Sequence, residues 1–154
     1  MESDSDPELR ALLAHYRSMP PVAAMQLGIG GADAGSLRLR APLSAHVNDK
    51  GCAFGGSLVS LMTLAGWGLA TLALEHAGLR ADVFVASSEV RYRAPLFADL
   101  EAIASAQPAD LAAFVDAFRA KGRASLELDA RVPLPGGGSA CDMRSRYVAV
   151  AKAA

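Results

Sequence analysis

Between Gly51 and Leu74 the sequence carries no charged residue. A run of that length must be assigned either to lipid or to a protein core, because it is long enough to cross a bilayer as a helix. Its composition decides for the core. The segment opens on Gly55-Gly56 and carries Ser57, Ser60, Thr63, Gly66, Gly68 and Thr71. Its flanks show no Lys/Arg bias of the kind that orients a membrane span. The reading is therefore a helix from about Gly55 to His76 that ends before Gly78 and is covered on most sides.

The rest of the chain has to supply that cover. Leu9, Leu12, Leu13 and Tyr16 share one face of a first helix from Pro7, which Met19-Pro20-Pro21 stops. Residues 23–31 and 35–42 read as a hairpin, with Leu37 and Leu39 alternating against Arg38 and Arg40. A loop follows from Pro42 to Phe54. Strands are expected over Val83–Ala94, Ala98–Ala106, Arg123–Val132 and Asp142–Ala151, with a short helix from Pro108 to Lys121 and a turn at Pro135–Gly138. In Arg123–Val132 the alternation is clean: Ala124, Leu126, Leu128, Ala130 and Val132 against Ser125, Glu127, Asp129 and Arg131. Strands with one apolar face, next to a helix apolar all round, fit a single antiparallel sheet curled round that helix. This α+β architecture is the hotdog; a flatter α+β sandwich fits the same pattern. Residues 1–7 read as a flexible tail and 8–154 as one domain.

The bulk numbers exclude several classes. The formal net charge is −1, without the basic excess of a nucleic-acid binder. Two cysteines, Cys52 and Cys141, are too few and too far apart for a small disulfide scaffold. His15, His46 and His76 sit in no ligand-like spacing, so no metal is expected. The acidic start, Met1 to Pro7, lacks the pattern of a signal peptide, which makes the cytoplasm the expected location.

The segment Asn48-Asp49-Lys50-Gly51-Cys52-Ala53-Phe54-Gly55-Gly56, followed by a helix from Ser57, resembles the signature of hotdog-fold thioesterases. Together with Ala41-Pro42-Leu43, Leu64-Ala65-Gly66-Trp67-Gly68 and Tyr92-Arg93-Ala94-Pro95 it is most similar to one subgroup. That subgroup is the thioesterase-like domain also found fused behind GNAT acetyltransferases. The likeness runs from about Leu9 to Val150. It implies an acyl-CoA or acyl-carrier-protein thioester as substrate and no required cofactor. It also implies a homodimer or a dimer of dimers, with sites formed between subunits, and no nucleic-acid or membrane partner.

Thioester hydrolysis needs a polarised carbonyl, an activated water and a leaving thiol. The first amides of a helix lack intrahelical partners and lie at the positive end of its dipole. The N–H groups of Gly55 and Gly56 are therefore candidates to hold the carbonyl oxygen, each such donor typically being worth about 3 kcal/mol of barrier. Asn48 is a further candidate donor. The plainer alternative is a tight loop-to-helix turn that Asn48 caps. By resemblance, a carboxylate belongs seven residues after the second glycine, and a histidine before the glycines; here those positions hold Thr63 and Phe54. Thr63 and Ser60 are candidates to orient water, or else small residues that let a strand approach. Glu89 is the first candidate for the missing base, reaching the site across a subunit interface, with Asp49 and His46 next and Cys52 a remote nucleophile. Arg119, Lys121 and Arg123, by resemblance, and the pair Arg91 and Arg93 are candidates to hold the phosphorylated end of coenzyme A. Trp67 reads as core or as the floor of an acyl pocket. A non-catalytic acyl-thioester-binding module fits the missing carboxylate as well as an enzyme does; a hotdog dehydratase and a plain dimerisation domain fit less.

Overall fold

The computed structural model describes residues 6–152. Helix α1 spans Pro7–Arg17 and α2 spans Pro20–Ala23; strands β1 and β2 span Gly28–Asp33 and Ser36–Ala41. After a 3₁₀ turn at Leu43–Ala45 come α3 (Gly55–His76) and β3 (Ala81–Tyr92), then β4 (Leu100–Ser105) and α4 (Pro108–Lys121). Strands β5 (Arg123–Pro133) and β6 (Ser139–Ala151) complete the chain. Of the expected N-terminal tail, residues 1–5 lie outside the described residues. Asp6 caps α1, its carboxylate accepting from the Glu8 and Leu9 N–H groups at 2.8 and 3.4 Å, and Pro7 opens the helix.

The six strands form one antiparallel sheet in the order β1-β2-β4-β5-β6-β3. Strands β2 to β6 all contact α3, so the sheet curls round the helix rather than lying flat beside a layer. The fold is a hotdog. The alternation expected in β5 holds along its length: Ala124, Leu126, Leu128, Ala130 and Val132 are buried and the intervening residues exposed. Pro108 opens α4, which sends Phe114 and Phe118 into the core.

Some boundaries move. The first hairpin strand, expected from residue 23, begins at Gly28. Pro20 and Pro21 supply the first turn of α2 instead, where a missing N–H costs nothing. Gln26 then turns the chain with a left-handed φ of 53°. The last strand starts at Ser139, three residues earlier than expected, and β3 runs from Ala81 to Tyr92 rather than from Val83 to Ala94.

The Gly66-Trp67-Gly68 piece has a steric explanation. A Cβ on Gly66 would lie 2.3 Å from the Tyr147 hydroxyl oxygen, and one on Gly68 would lie 2.2 Å from that of Tyr16. Each glycine is a notch that receives a tyrosine from a different element. Tyr147, on β6, donates to the Thr63 carbonyl at 2.8 Å. Tyr16, on α1, donates to the Leu64 carbonyl at 2.6 Å. Burial pushes both hydroxyls well above the ordinary tyrosine range, with Tyr147 adding to the effect on Tyr16, so both remain proton donors. Between the notches Trp67 donates to the Val83 carbonyl at 2.8 Å and stacks on His15. The helix is thereby fixed in rotation and in height.

Candidate active site

The site is built on the loop that delivers the chain to α3. The Ala53 N–H donates to the Leu96 carbonyl at 2.9 Å, and the Phe54 N–H to the His46 carbonyl at 2.7 Å. Val47 and Ala53 form an isolated bridge. The turn inside the loop is held by Asn48, whose side-chain oxygen accepts from the N–H groups of Lys50 (2.8 Å) and Cys52 (3.1 Å). Its amide nitrogen donates to the Cys52 sulfur at 3.3 Å. Gly51, at φ 82°, supplies the left-handed residue this turn needs.

Phe54 is the N-cap residue of α3 and contributes no side-chain cap bond. The Ser57 and Leu58 N–H groups both return to the Phe54 carbonyl, at 3.0 and 3.2 Å. Neither the Gly55 nor the Gly56 N–H finds an acceptor among the described residues. Close aromatic neighbours favour glycine here. A Cβ on Gly56 would meet the Phe54 ring at 2.6 Å, and one on Gly55 would meet the Tyr92 ring at 3.1 Å. The two glycines thus lie beside two aromatic rings, themselves 58% and 64% exposed.

Beside them runs a cleft of about 600 Å³, lined by α3 residues Gly56, Ser57, Val59, Ser60, Thr63 and Leu64 on one wall. The other wall is apolar, from Pro21, Val22, Ala24 and Met25, with His46 and Phe54 at the loop end. His46 is only 5% exposed. Its Nε2 lies 2.8 Å from the Met25 carbonyl and its Nδ1 lies 2.8 Å from the Ser57 hydroxyl. A carbonyl only accepts, so Nε2 carries a hydrogen. In the neutral ring Nδ1 then accepts the Ser57 proton.

The structure brings Gly56, Ser60, Thr63 and the candidate base His46 together in the cleft lining, with Gly55 beside Gly56 at the helix start. It does not bring in the others. Asn48 is spent on its own loop, the capping role that stood as the alternative to carbonyl binding. Glu89 faces Arg144 in register on the outer face of the sheet and pairs with Arg91 at 3.4 Å, away from the helix. Within one chain it is no base for the cleft. Asp49 is exposed and paired with Lys50. Cys52 is buried against Asn48. Arg91 and Arg93 belong to a charged outer surface, where Arg93 binds Asp142 and holds its carboxyl below the usual range, Ser139 and Arg131 assisting. Arg119 reaches the Ala77 carbonyl at 3.4 Å, which places it with Lys121 and Arg123 at the C-terminal end of α3. The 22 residues of that helix put ~33 Å between them and Gly55. Trp67 is core and does not line the cleft.

The residue that sequence reasoning missed is Ser57. It appears in the motif without a role, because its partner lies eleven positions away in a loop with no regular pattern. A polar residue directly after two glycines at a helix start was the only signal.

The family model described as "Putative thioesterase (yiiD_Cterm)" matches residues 9–151. A solved structure of a protein of unknown function from Chlorobaculum tepidum TLS superposes with a TM-score of 0.87 at 28% identity, covering 93% of this chain and 94% of that one. A structure described as a putative thioesterase from Shewanella oneidensis superposes with a TM-score of 0.76 at 24% identity, covering 92% and 98%. A comparison with curated proteins finds no match.

Proposed function

The chain belongs to the putative thioesterase (yiiD_Cterm) family, and we propose that it hydrolyses an acyl thioester carried by coenzyme A or by an acyl-carrier protein, in the cytoplasm and without a cofactor. One observation carries the reading: the unpartnered Gly55 and Gly56 N–H groups at the start of α3, with Gly56 lining the cleft. An oxygen that gains negative charge in the transition state finds two fixed donors there, at the positive end of a 22-residue helix. The apolar wall from Pro21 to Met25 suits an acyl chain. Ser60 and Thr63, one turn apart, face the same space and orient water.

The working unit is a homodimer or a dimer of dimers. Strand β3 is a sheet edge of 12 residues, and an edge of that length invites a second strand. Phe84, Val85, Tyr92 and Phe97 are exposed on or next to it, an apolar surface that a second copy covers. Arg119, Lys121 and Arg123 stand too far from their own chain's Gly55, so they serve the nucleotide end of coenzyme A only as residues of a neighbouring protomer.

Thiol release from a panel of acyl-CoA thioesters of increasing chain length, and from an acylated carrier protein, tests the proposal. Both cysteines are buried, so a thiol reagent reads the product rather than the protein. Release from at least one member is expected. A second reading, a binding module without turnover, draws on the absence of Asp and Glu from the cleft lining. Calorimetric binding of acyl-CoA with no release from any member selects it, and neither binding nor release refutes both.

A further inference from the structure

At the cleft the Ser57 hydroxyl, the His46 ring and the Met25 carbonyl stand in one hydrogen-bonded series. We propose that Ser57 is the nucleophile of this site, forming an acyl-serine, and that His46 is its base. The inference rests on the thioesterase reading of the same cleft and supplies the activating group that Thr63 does not.

The argument is geometric. The Ser57 hydroxyl donates to His46 Nδ1 at 2.8 Å, within the range of a nucleophile–base bond. The other ring nitrogen is held by the Met25 carbonyl at 2.8 Å, which fixes both ring orientation and tautomer. When Nδ1 takes up a proton, the resulting imidazolium keeps an acceptor for its second N–H. Ser57 and His46 both line the cleft, so the hydroxyl and its base face the same space. It also follows Gly56 directly, which places the attacking oxygen at the same helix turn as the two unpartnered amides. No other cleft-lining residue titrates, the remainder being Pro, Val, Ala, Met, Phe, Gly, Ser, Thr and Leu. Nothing else there competes for the role.

The steps balance without a further reactant except water. Ser57 Oγ bonds to the thioester carbon as its proton passes to His46 Nδ1, and the carbonyl electron pair moves onto the oxygen that faces the Gly55 and Gly56 N–H groups. The pair returns, the C–S bond breaks, and the sulfur leaves with its electrons and takes the proton from Nδ1 as a thiol. Acylated Ser57 has no proton to donate, so Nδ1 is free to accept one from water. That water attacks the acyl carbon, the C–Oγ bond breaks, and Oγ recovers the proton as the carboxylic acid departs.

Three measurements decide the matter, made with whichever acyl-CoA the wild type hydrolyses. Ser57→Ala is expected to lower thiol release by up to about 10⁶-fold, and His46→Gln about 10²- to 10⁴-fold, with acyl-CoA binding by calorimetry and the melting temperature close to wild type for Ser57→Ala. A fluorophosphonate probe is expected to label the wild type at Ser57, mapped by peptide mass spectrometry, and to label His46→Gln much more slowly. Ser57→Cys, which keeps a nucleophile, is expected to accumulate an acyl adduct visible as an added acyl mass on the intact protein. A wild type that hydrolyses thioesters while Ser57→Ala keeps its rate within threefold overturns the dyad, and so does hydrolysis with Ser57 left unlabelled. A wild type that hydrolyses no thioester refutes the thioesterase reading itself, a distinguishable result.

Discussion

Gly66→Ala is the substitution on which helix propensity and packing disagree most sharply. Alanine is better than glycine in a helix interior by about 1 kcal/mol, and α3 continues for ten residues beyond this point. Propensity alone therefore predicts a more stable protein. The packing predicts the reverse. The new methyl carbon would sit 2.3 Å from Tyr147 Oη, 2.7 Å from Cζ and 2.8 Å from Cε2. Tyr147 is 0% exposed and stands on β6 between β5 and β3, so the ring has no free space to move into. Forcing extra volume into a filled core costs about 1–3 kcal/mol. Breaking the Tyr147–Thr63 bond leaves a buried hydroxyl unpaired for about 1–3 kcal/mol more. Against the propensity gain, the net is a loss of about 3 kcal/mol, which for a domain of this size lowers Tm by about 6–12 °C. Urea denaturation and thermal melting by circular dichroism measure it. Tyr147→Phe in the Gly66→Ala background removes the nearest atom but not the two ring carbons, so a partial recovery is expected. A Gly66→Ala protein as stable as the wild type refutes the notch argument.

The Tyr16 notch predicts its own, smaller effect: Tyr16→Phe loses the bond to the Leu64 carbonyl and costs about 1 kcal/mol in urea denaturation. Asp142 gives a pH dependence. Its carboxyl is held low in the folded protein, first by the Arg93 hydrogen bond, so the folded state binds its proton less readily than the unfolded state. The stabilisation is present above the unfolded pKa and is lost as pH falls through the folded one. Arg93→Gln is therefore expected to flatten the acid limb of a Tm-against-pH curve while leaving the neutral plateau within about 1 kcal/mol, as the pair is partly exposed. Phe84→Lys, on the exposed edge strand, is expected to reduce the mass found by light scattering to that of one chain; an unchanged assembly places the interface elsewhere.

The central helix was legible to the residue because one physical fact governs it. An uncharged run bounded by Gly55-Gly56 and Gly78 leaves few alternatives, and Gly78 does adopt a left-handed φ of 75°. The strand β5 was legible because a sheet with one buried face imposes strict alternation. The first strand was misjudged because local apolar content cannot tell a short proline-initiated helix from a strand start. The outward direction of Glu89 and Arg91 within their own chain was legible too, because Val90, between them, packs against the core. The distance of Arg119 from Gly55 along α3 was similarly available from helix length. Ser57 and His46 were different. Their pairing exists only after the loop folds back on the helix, and no local spacing encodes a contact across eleven residues of irregular chain.

Met25 lends its carbonyl to His46, and its neighbour Gln26 holds a backbone angle that L-residues other than glycine rarely adopt, at an estimated ~1–3 kcal/mol. No side chain supplies that acceptor, so a change of residue 25 leaves it in place, whereas a change in the course of residues 20–26 removes it. The dyad proposed above therefore depends on a stretch that contributes only a backbone carbonyl to it. Sequence drift there would take the acceptor from His46 while Ser57 and His46 themselves stay unchanged.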